Sequence, residues 1–275
     1  MSAVYRHFSQ TELDAAYNNR AAERNLEARK EDQDRRSLAL YARAKVRRDL
    51  AYGSAPRQRL DFFHAETEGR PTVAYIHGGY WQLNEKEPNA FVAEGLLTHD
   101  LNVALIEYTL APTATLPQIV EEIRMAIEWL RTRLHSDFNA GASMVVSGHS
   151  AGGHLTAMAA TQPGVTAALT ISGLFDLEPI RLSYLNNAMK MNFEEAGANS
   201  PISSPLPSIP VTVAVGEAEL PELVRQSAEY AAALKAANLV GNYLVIPAAT
   251  HFSILDEVAH PDGVLAIELA RLAAL

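Results

Sequence analysis

The chain has 275 residues, 48% of them hydrophobic and 20% charged, which excludes disordered, collagen-like and low-complexity classes and suits one large domain. A net charge of −9 argues against a protein whose work is to hold nucleic acid, and the absence of cysteine excludes a disulfide framework, a thiolate metal site and a cysteine nucleophile. No apolar run approaches the ~18 residues of a membrane-spanning helix, and the opening residues lack the apolar core of a secretory signal, so a cysteine-free chain of this kind fits a reducing cytoplasm.

Residues 1–50 carry 11 Lys/Arg against 8 Asp/Glu, whereas the other 225 carry 12 against 24. A basic arm would invite nucleic acid or acidic lipid, but the spacing points to a solvated helical segment. Ser9-x-x-Glu12 forms a capping box, and Glu31/Arg35 and Asp32/Arg36 stand four apart, where opposite charges face one another on a helix. The chain divides accordingly into a helical N-terminal extension, residues 1–50, and a main domain, residues 51–275.

From there short β-branched runs alternate with helical periods. Strands are predicted at Arg59–Phe63, Thr72–His77, Asn102–Tyr108, Met144–Ser147, Ala167–Ile171, Val211–Val215 and Tyr243–Ile246. Several are apolar almost throughout, as strands covered on both faces must be. Helices are predicted at Pro88–Leu97, Leu116–Leu134, Ala151–Ala160, Pro221–Ala237 and Pro261–Leu272. In the second of these, Ile119, Ile123, Ala126, Ile127 and Leu130 share one face. Such alternation means a mostly parallel sheet with helices on both sides. The Pro- and Ser-rich segment Asn192–Pro210 is predicted to be a loop crossing the top of the sheet.

Two motifs carry chemistry. Gly148-His149-Ser150-Ala151-Gly152 lies between a predicted strand and a predicted helix, the setting of a nucleophile elbow. Its glycines relieve crowding against neighbouring strands, and the helix N-terminus behind the serine favours developing negative charge. Upstream, His77-Gly78-Gly79-Tyr80-Trp81 ends another strand. The N–H groups of Gly78 and Gly79, with that of Ala151, can form an oxyanion hole.

A serine nucleophile needs a base and an acid, in the order Ser, acid, His for α/β hydrolases. His251, on a short loop after Tyr243–Ile246, is placed to lean over the sheet, whereas His260 precedes the last helix and reads as a cap or a solvent-facing residue. His77, His149 and His154 read as packing or local hydrogen-bonding residues. The acid is expected after Val211–Val215, where Glu217, Glu219 and Glu222 all stand; Asp176 is a further candidate that reads better as a turn cap. Neither H-E-x-x-H nor carboxylate–His spacing is present, so no metal is expected.

HGGYW at 77–81 with GHSAGGH at 148–154 resembles the kynurenine formamidase (arylformamidase) branch of the α/β-hydrolase fold, a relative of the hormone-sensitive-lipase-like esterases. The resemblance extends to AAYNNR at 15–20, LPQIVEEIRMAIEWL at 116–130, SGLFDLEPI at 172–180, PELVRQSAEYAAAL at 221–234 and THF at 250–252. It implies an α/β-hydrolase fold with a helical N-terminal cap, Ser150 as nucleophile, His251 as base, and Gly78, Gly79 and Ala151 as oxyanion donors. The family's acid is usually an Asp at the position of Glu219. Glutamate is a departure whose extra methylene requires a shifted backbone, so Glu217 stays open.

Residues 1–50 and Leu174–Ala198 are expected to cap the site, with Tyr80, Trp81 and Phe175 against the substrate and Tyr184, Met189 and Met191 nearby. The expected activity is hydrolysis of an aryl formamide or related small amide or ester, without cofactor. A carboxylesterase for small acyl esters is the alternative, and a non-catalytic binding protein of the same fold the third. Expected partners are a small aromatic substrate, with neither nucleic acid nor membrane; a homodimer is left open.

Overall fold

The computed structural model describes residues 3–239 and 241–275. The N-terminal segment folds as α1 (Gln10–Ala16), α2 (Asn19–Ala22) and α3 (Leu26–Arg43). The strands are β1 (Val46–Ala51), β2 (Arg59–Phe63), β3 (Thr72–Ile76), β4 (Asn102–Ile106), β5 (Met144–His149), β6 (Val165–Ile171), β7 (Val211–Gly216) and β8 (Tyr243–Ile246). The remaining helices begin with α4 (Ala93–Thr98), α5 (Leu116–Phe138) and α6 (Ala151–Ala159). Three short ones follow, α7 (Glu178–Leu182), α8 (Asn186–Met189) and α9 (Phe193–Ala198), then α10 (Pro221–Ala236), α11 (Asp256–Ala259) and α12 (Val264–Ala273).

The strands form one eight-stranded sheet in the order β1-β2-β4-β3-β5-β6-β7-β8 among the described residues. β1–β2 and β2–β4 are antiparallel and every later pair is parallel. Side chains alternate between two cores. Ala74, Ile76, Ala104 and Ile106 face α5 and α6 on one side, with the predicted Ile119–Leu130 stripe against them. Val73, Tyr75, Val103 and Leu105 face α4 and α12 on the other, so both faces are covered and the fold is α/β.

β1 is absent from the predicted strands, and the expected boundary after residue 50 falls inside it. Its sequence, Val46-Arg-Arg-Asp-Leu-Ala51, leaves most side chains exposed and the ladder is irregular between Arg47 and Leu50. A charged, bulged edge strand blocks further pairing, and for that reason it carries no alternating apolar signal. The Asn192–Pro210 segment also differs from the prediction. It opens with α9, started by a capping box in which Asn192 Oδ1 accepts from the Glu195 N–H at 2.8 Å.

The basic N-terminal segment is not simply solvated. On α3, Arg36 pairs with Glu94 at 2.8 Å and Arg29 with Asp256 at 2.7 Å, while Arg43 reaches Glu94 at 3.0 Å. The expected Asp32–Arg36 pair forms at 3.8 Å, but Arg35 turns to Asp32 rather than to Glu31. The positive charge of this segment is thus used against the acidic main domain, and it docks α3 over the carboxyl ends of the parallel strands.

Candidate active site

Ser150 sits between β5 and α6 with φ 58° and ψ −119°, a conformation that costs an ordinary residue energy and is held by its surroundings. Its N–H donates to Ile171 O at 2.8 Å, and its own carbonyl accepts from His154 N–H at 3.1 Å. The flanking glycines are required by close packing. A Cβ on Gly152 would lie 2.0 Å from Ile76 O, and one on Gly148 would lie 2.5 Å from Gly152 O. Ser150 therefore emerges at the N-terminus of α6, at the carboxyl edge of the sheet.

His251 lies on the loop after β8. Its Nδ1 is 2.6 Å from Glu219 Oε2. The other carboxylate oxygen, Oε1, accepts from Gly216 N–H at 2.8 Å and from Ser172 Oγ at 2.5 Å. The glutamate side chain is fully buried and folds back over Gly216, where a Cβ would stand 3.1 Å from Oε1; the missing side chain makes room for the longer acid. The other acids point elsewhere. Glu217 is exposed and accepts from Ala248 N–H, and Glu222 is tied to Arg225 and the Tyr17 hydroxyl. Asp176 accepts from the Tyr5 hydroxyl and from Glu178 N–H at the start of α7.

With Nδ1 taken by Glu219, Nε2 is the ring nitrogen left for chemistry. Ser150 and His251 line the same cavity, of about 330 Å³, together with Gly78, Gly79, Tyr80 and His149. Among the described residues no hydrogen bond joins Ser150 Oγ to His251; in serine hydrolases that contact commonly tightens only once substrate is bound. His260 is exposed and away from this group. A broader hollow of about 800 Å³ lies over residues 18–28 and Tyr184, but it holds none of these groups.

The glycine loop is braced from behind. His77 O accepts from the Tyr108 hydroxyl at 3.0 Å, and Gly78 O lies 2.8 Å from His77 Nδ1. In a trans peptide the N–H points opposite to the C=O. Each pinned carbonyl therefore aims the next N–H, of Gly78 or of Gly79, away from the brace. The N–H groups of Gly78, Gly79 and Ala151 donate to no other group among the described residues. His77 stacks on Tyr108 with centroids 4.4 Å apart, and its Nε2 meets Glu107 Oε1 at 3.0 Å. Burial pushes the Glu107 carboxyl upward, but the hydrogen bond and charge of His77 and the charge of Arg57 hold it below its ordinary value.

Two further histidines are buried. Burial, and then the proximity of His251, push His149 well below the usual imidazole range, so it is neutral and its Nε2–H donates to the backbone carbonyl of His251 at 2.7 Å. Burial takes His154 down to about 4; its Nε2 meets Asn199 O at 2.8 Å and its ring sits edge-on to Trp81.

The expected substrate-binding residues separate. Tyr80 lines the cavity, whereas Trp81 is fully buried in the core and Phe175 stacks on Tyr230 at 4.3 Å. Met189 and Met191 join the same core as Trp81, and Tyr184 lines the broader hollow. The roof of the reactive cavity comes from α2 and α3, within the residues 1–50 expected to cap the site, through Asn19, Lys30, Gln33 and Asp34, whereas no residue of the expected Leu174–Ala198 cap segment lines it. Sequence reasoning also passed over Ser172 and Tyr108, whose only local signals are their positions just beyond the ends of β6 and β4. No group of three or more potential metal ligands occurs among the described residues, and no helix among them is long and apolar enough to cross a membrane.

Comparison with known proteins agrees with the fold. The BD-FAE family model matches residues 60–200. A kynurenine formamidase of Danio rerio is 31% identical over 82% of this chain and 80% of its own length, and one of Salmo salar is 30% identical over 78% and 77%. A crystal structure described as that of a candidate thioesterase from Silicibacter superposes with TM-score 0.85 at 26% identity, covering 96% of this chain and 99% of its own. A Pyrobaculum calidifontis esterase shares the fold at TM-score 0.71 and 19% identity, over 97% and 98% of the two chains. The chain is a hydrolase that belongs to the BD-FAE family and to the kynurenine formamidase branch of the α/β-hydrolase fold.

Proposed function

We propose that this serine hydrolase cleaves an aryl formamide of the N-formylkynurenine type, with Ser150 as nucleophile, His251 as base and Glu219 as the acid of the triad. One observation carries the assignment: a buried carboxylate on His251 Nδ1, with His251 and Ser150 opening into the same cavity beside two braced glycines. Ser150 Oγ attacks the formyl carbon while its proton passes to His251 Nε2, and the oxyanion is received by Gly78, Gly79 and Ala151 N–H groups. Collapse breaks the C–N bond as His251 returns the proton to the leaving amine. Water, deprotonated by His251, then releases formate and regenerates Ser150.

Glu219 fixes the tautomer with the proton on Nδ1 and stabilises the imidazolium. The solid identity with kynurenine formamidases supports the formamide, and the aromatic wall at Tyr80 suits an aryl group. The cysteine-free composition supports a cytoplasmic setting. The second reading, hydrolysis of small acyl esters, is favoured by the candidate thioesterase whose structure superposes over nearly the whole chain.

The test is hydrolysis of N-formylkynurenine beside p-nitrophenyl acetate and butyrate, with Ser150→Ala as the blank. A formamide kcat/KM higher by about tenfold, ~1.4 kcal/mol of transition-state preference, supports the formamide reading. Turnover of the esters alone supports the second.

A further inference from the structure

The segment between α1 and α3 reaches past the cavity to the loop that carries His251. Glu23 closes α2, and its Oε2 accepts from the hydroxyl of Thr250, the residue before His251, at 2.5 Å. Glu23 is half-buried and makes no ion pair among the described residues, since Arg20 takes Glu27 instead at 3.7 Å. Its carboxylate therefore serves a neutral hydroxyl. A carboxylate can only accept, so the one hydrogen of Thr250 Oγ1 goes to Glu23 and that oxygen is left to receive. It receives the Ser253 N–H at 3.2 Å and meets the Ser253 hydroxyl at 3.1 Å, while Thr250 N–H donates to Ser253 Oγ at 2.8 Å. His251 and Phe252 are held inside that reciprocal turn. On the other side the His149 ring donates to the His251 carbonyl at 2.7 Å.

Glu23 is itself fixed from both directions along the chain. Upstream, the Tyr80 hydroxyl of the glycine loop donates to Tyr17 O at 2.8 Å and accepts from Asn19 Nδ2 at 3.0 Å. Tyr17 is fully buried, with its own hydroxyl on Glu222 at 2.9 Å. Downstream, Arg29 and Arg36 hold Asp256 at 2.7 and 3.4 Å, just beyond the Thr250–Ser253 turn. Residues 17–23, of which Asn19 and Arg20 line the cavity, thus tie the loop of Gly78 and Gly79 to the loop of His251. We infer that Glu23 is a positioning residue for the hydrolysis: by holding Thr250 it fixes where His251 Nε2 stands relative to Ser150. This rests on the reading of Ser150 and His251 as the reacting pair. Glu23 touches neither of them and acts through the loop. Misplacing a reacting group by an ångström can cost ~10²-fold in rate, and releasing one of several ties predicts a smaller loss, about tenfold.

The test is steady-state hydrolysis of p-nitrophenyl acetate by the wild type, Glu23→Ala, Glu23→Gln, Thr250→Val and the double variant Glu23→Ala/Thr250→Val. Each is assayed below its own unfolding temperature, and His251→Ala is run beside them. Glu23→Ala and Thr250→Val should each lower kcat by about tenfold while KM stays within about twofold, a split that a merely structural residue does not produce. The double variant should fall no further than either single one, because both remove the same bond. Glu23→Gln keeps an oxygen that accepts from Thr250 and should retain at least about a third of wild-type kcat. If Glu23→Ala does not fold, Thr250→Val, which keeps the shape of its side chain, reads the same bond. Wild-type kcat in Thr250→Val, a loss in KM alone, additive losses in the double variant, or a glutamine loss as deep as the alanine one overturns the inference. Wild-type activity in His251→Ala overturns the triad and the positioning role together. An inactive His251→Ala beside fully active Glu23 and Thr250 variants overturns the positioning role alone.

Discussion

Replacing Glu219 by glutamine keeps the shape of the side chain and reverses the proton arrangement at His251. Gly216 N–H, 2.8 Å from Oε1, can only donate, and Ser172 Oγ donates to the same oxygen. The carboxamide oxygen of the variant is therefore held at the Oε1 position and its NH₂ is turned toward His251 Nδ1. Facing a donor, Nδ1 must accept. The ring proton then moves to Nε2, the nitrogen that in the proposed triad has to take the Ser150 proton. The same change in a Ser-His-Asp triad costs about 10⁴ in kcat, ~5.5 kcal/mol of barrier, and the fixed orientation here predicts a loss of that size. The assay is steady-state hydrolysis of p-nitrophenyl acetate with thermal unfolding as the control for folding. A folded Glu219→Gln protein that retains more than about a tenth of wild-type kcat refutes the reasoning, because a tautomer block leaves little room for partial function.

Ser150→Gly should abolish activity and raise stability: relief of the conformation at φ 58° is worth about 1–3 kcal/mol, and at roughly 2 °C or more per kcal/mol the melting temperature should climb by a few degrees in a calorimetric scan. Tyr108→Phe removes the hydroxyl that holds His77 O and should lower kcat by about tenfold with little change in KM, since the aim of Gly78 N–H matters most when the oxyanion forms. His154 stays neutral down to about 4 in the folded protein, below an unfolded value near ~6.5, so the unfolded chain binds the proton first. The stability associated with it is complete above about pH 6.5 and is lost as pH falls toward 4, a loss on the order of 3 kcal/mol. Urea unfolding of the wild type and His154→Phe across that window should show a shallower acid slope in the variant.

Most of the parallel strands were legible because they are buried on both faces and read as apolar runs, whereas β8, the half-exposed parallel edge, showed through its aromatic and β-branched residues. β1 and α7–α9 were not legible. β1 is an exposed, charged edge whose partner lies across a turn, and the three short helices gain their stability from tertiary contacts rather than from periodicity. Ser150 and the glycines at 78 and 79, the proposed nucleophile and oxyanion loop, were visible because that chemistry imposes a local backbone, and a local backbone leaves a local motif. The proposed acid was not decided by spacing. Glu217, Glu219 and Glu222 stand within six residues, and what separates them is the turn after β7, where Ala218 N–H bonds Ala249 O at 3.0 Å and swings Glu219 inward.

A different kind of information governs what the enzyme accepts. Phe175 and Trp81 looked suited to an aromatic substrate by residue type, yet aromatic side chains bury the largest areas and serve a core at least as well. The side chains that reach the cavity from above belong to a segment whose composition is that of any solvated helix. Nothing local distinguishes Gln33 from Glu31 or Asp34. Its place over the cavity follows from how α3 is held, by Arg29, Arg36 and Arg43 against Asp256 and Glu94, which fixes the rotation of the helix over the strand ends. The proposed catalytic groups stand on the sheet and the roof on this docked helix, so exchanging the face of α3 should alter substrate preference before it alters the rate on a small ester.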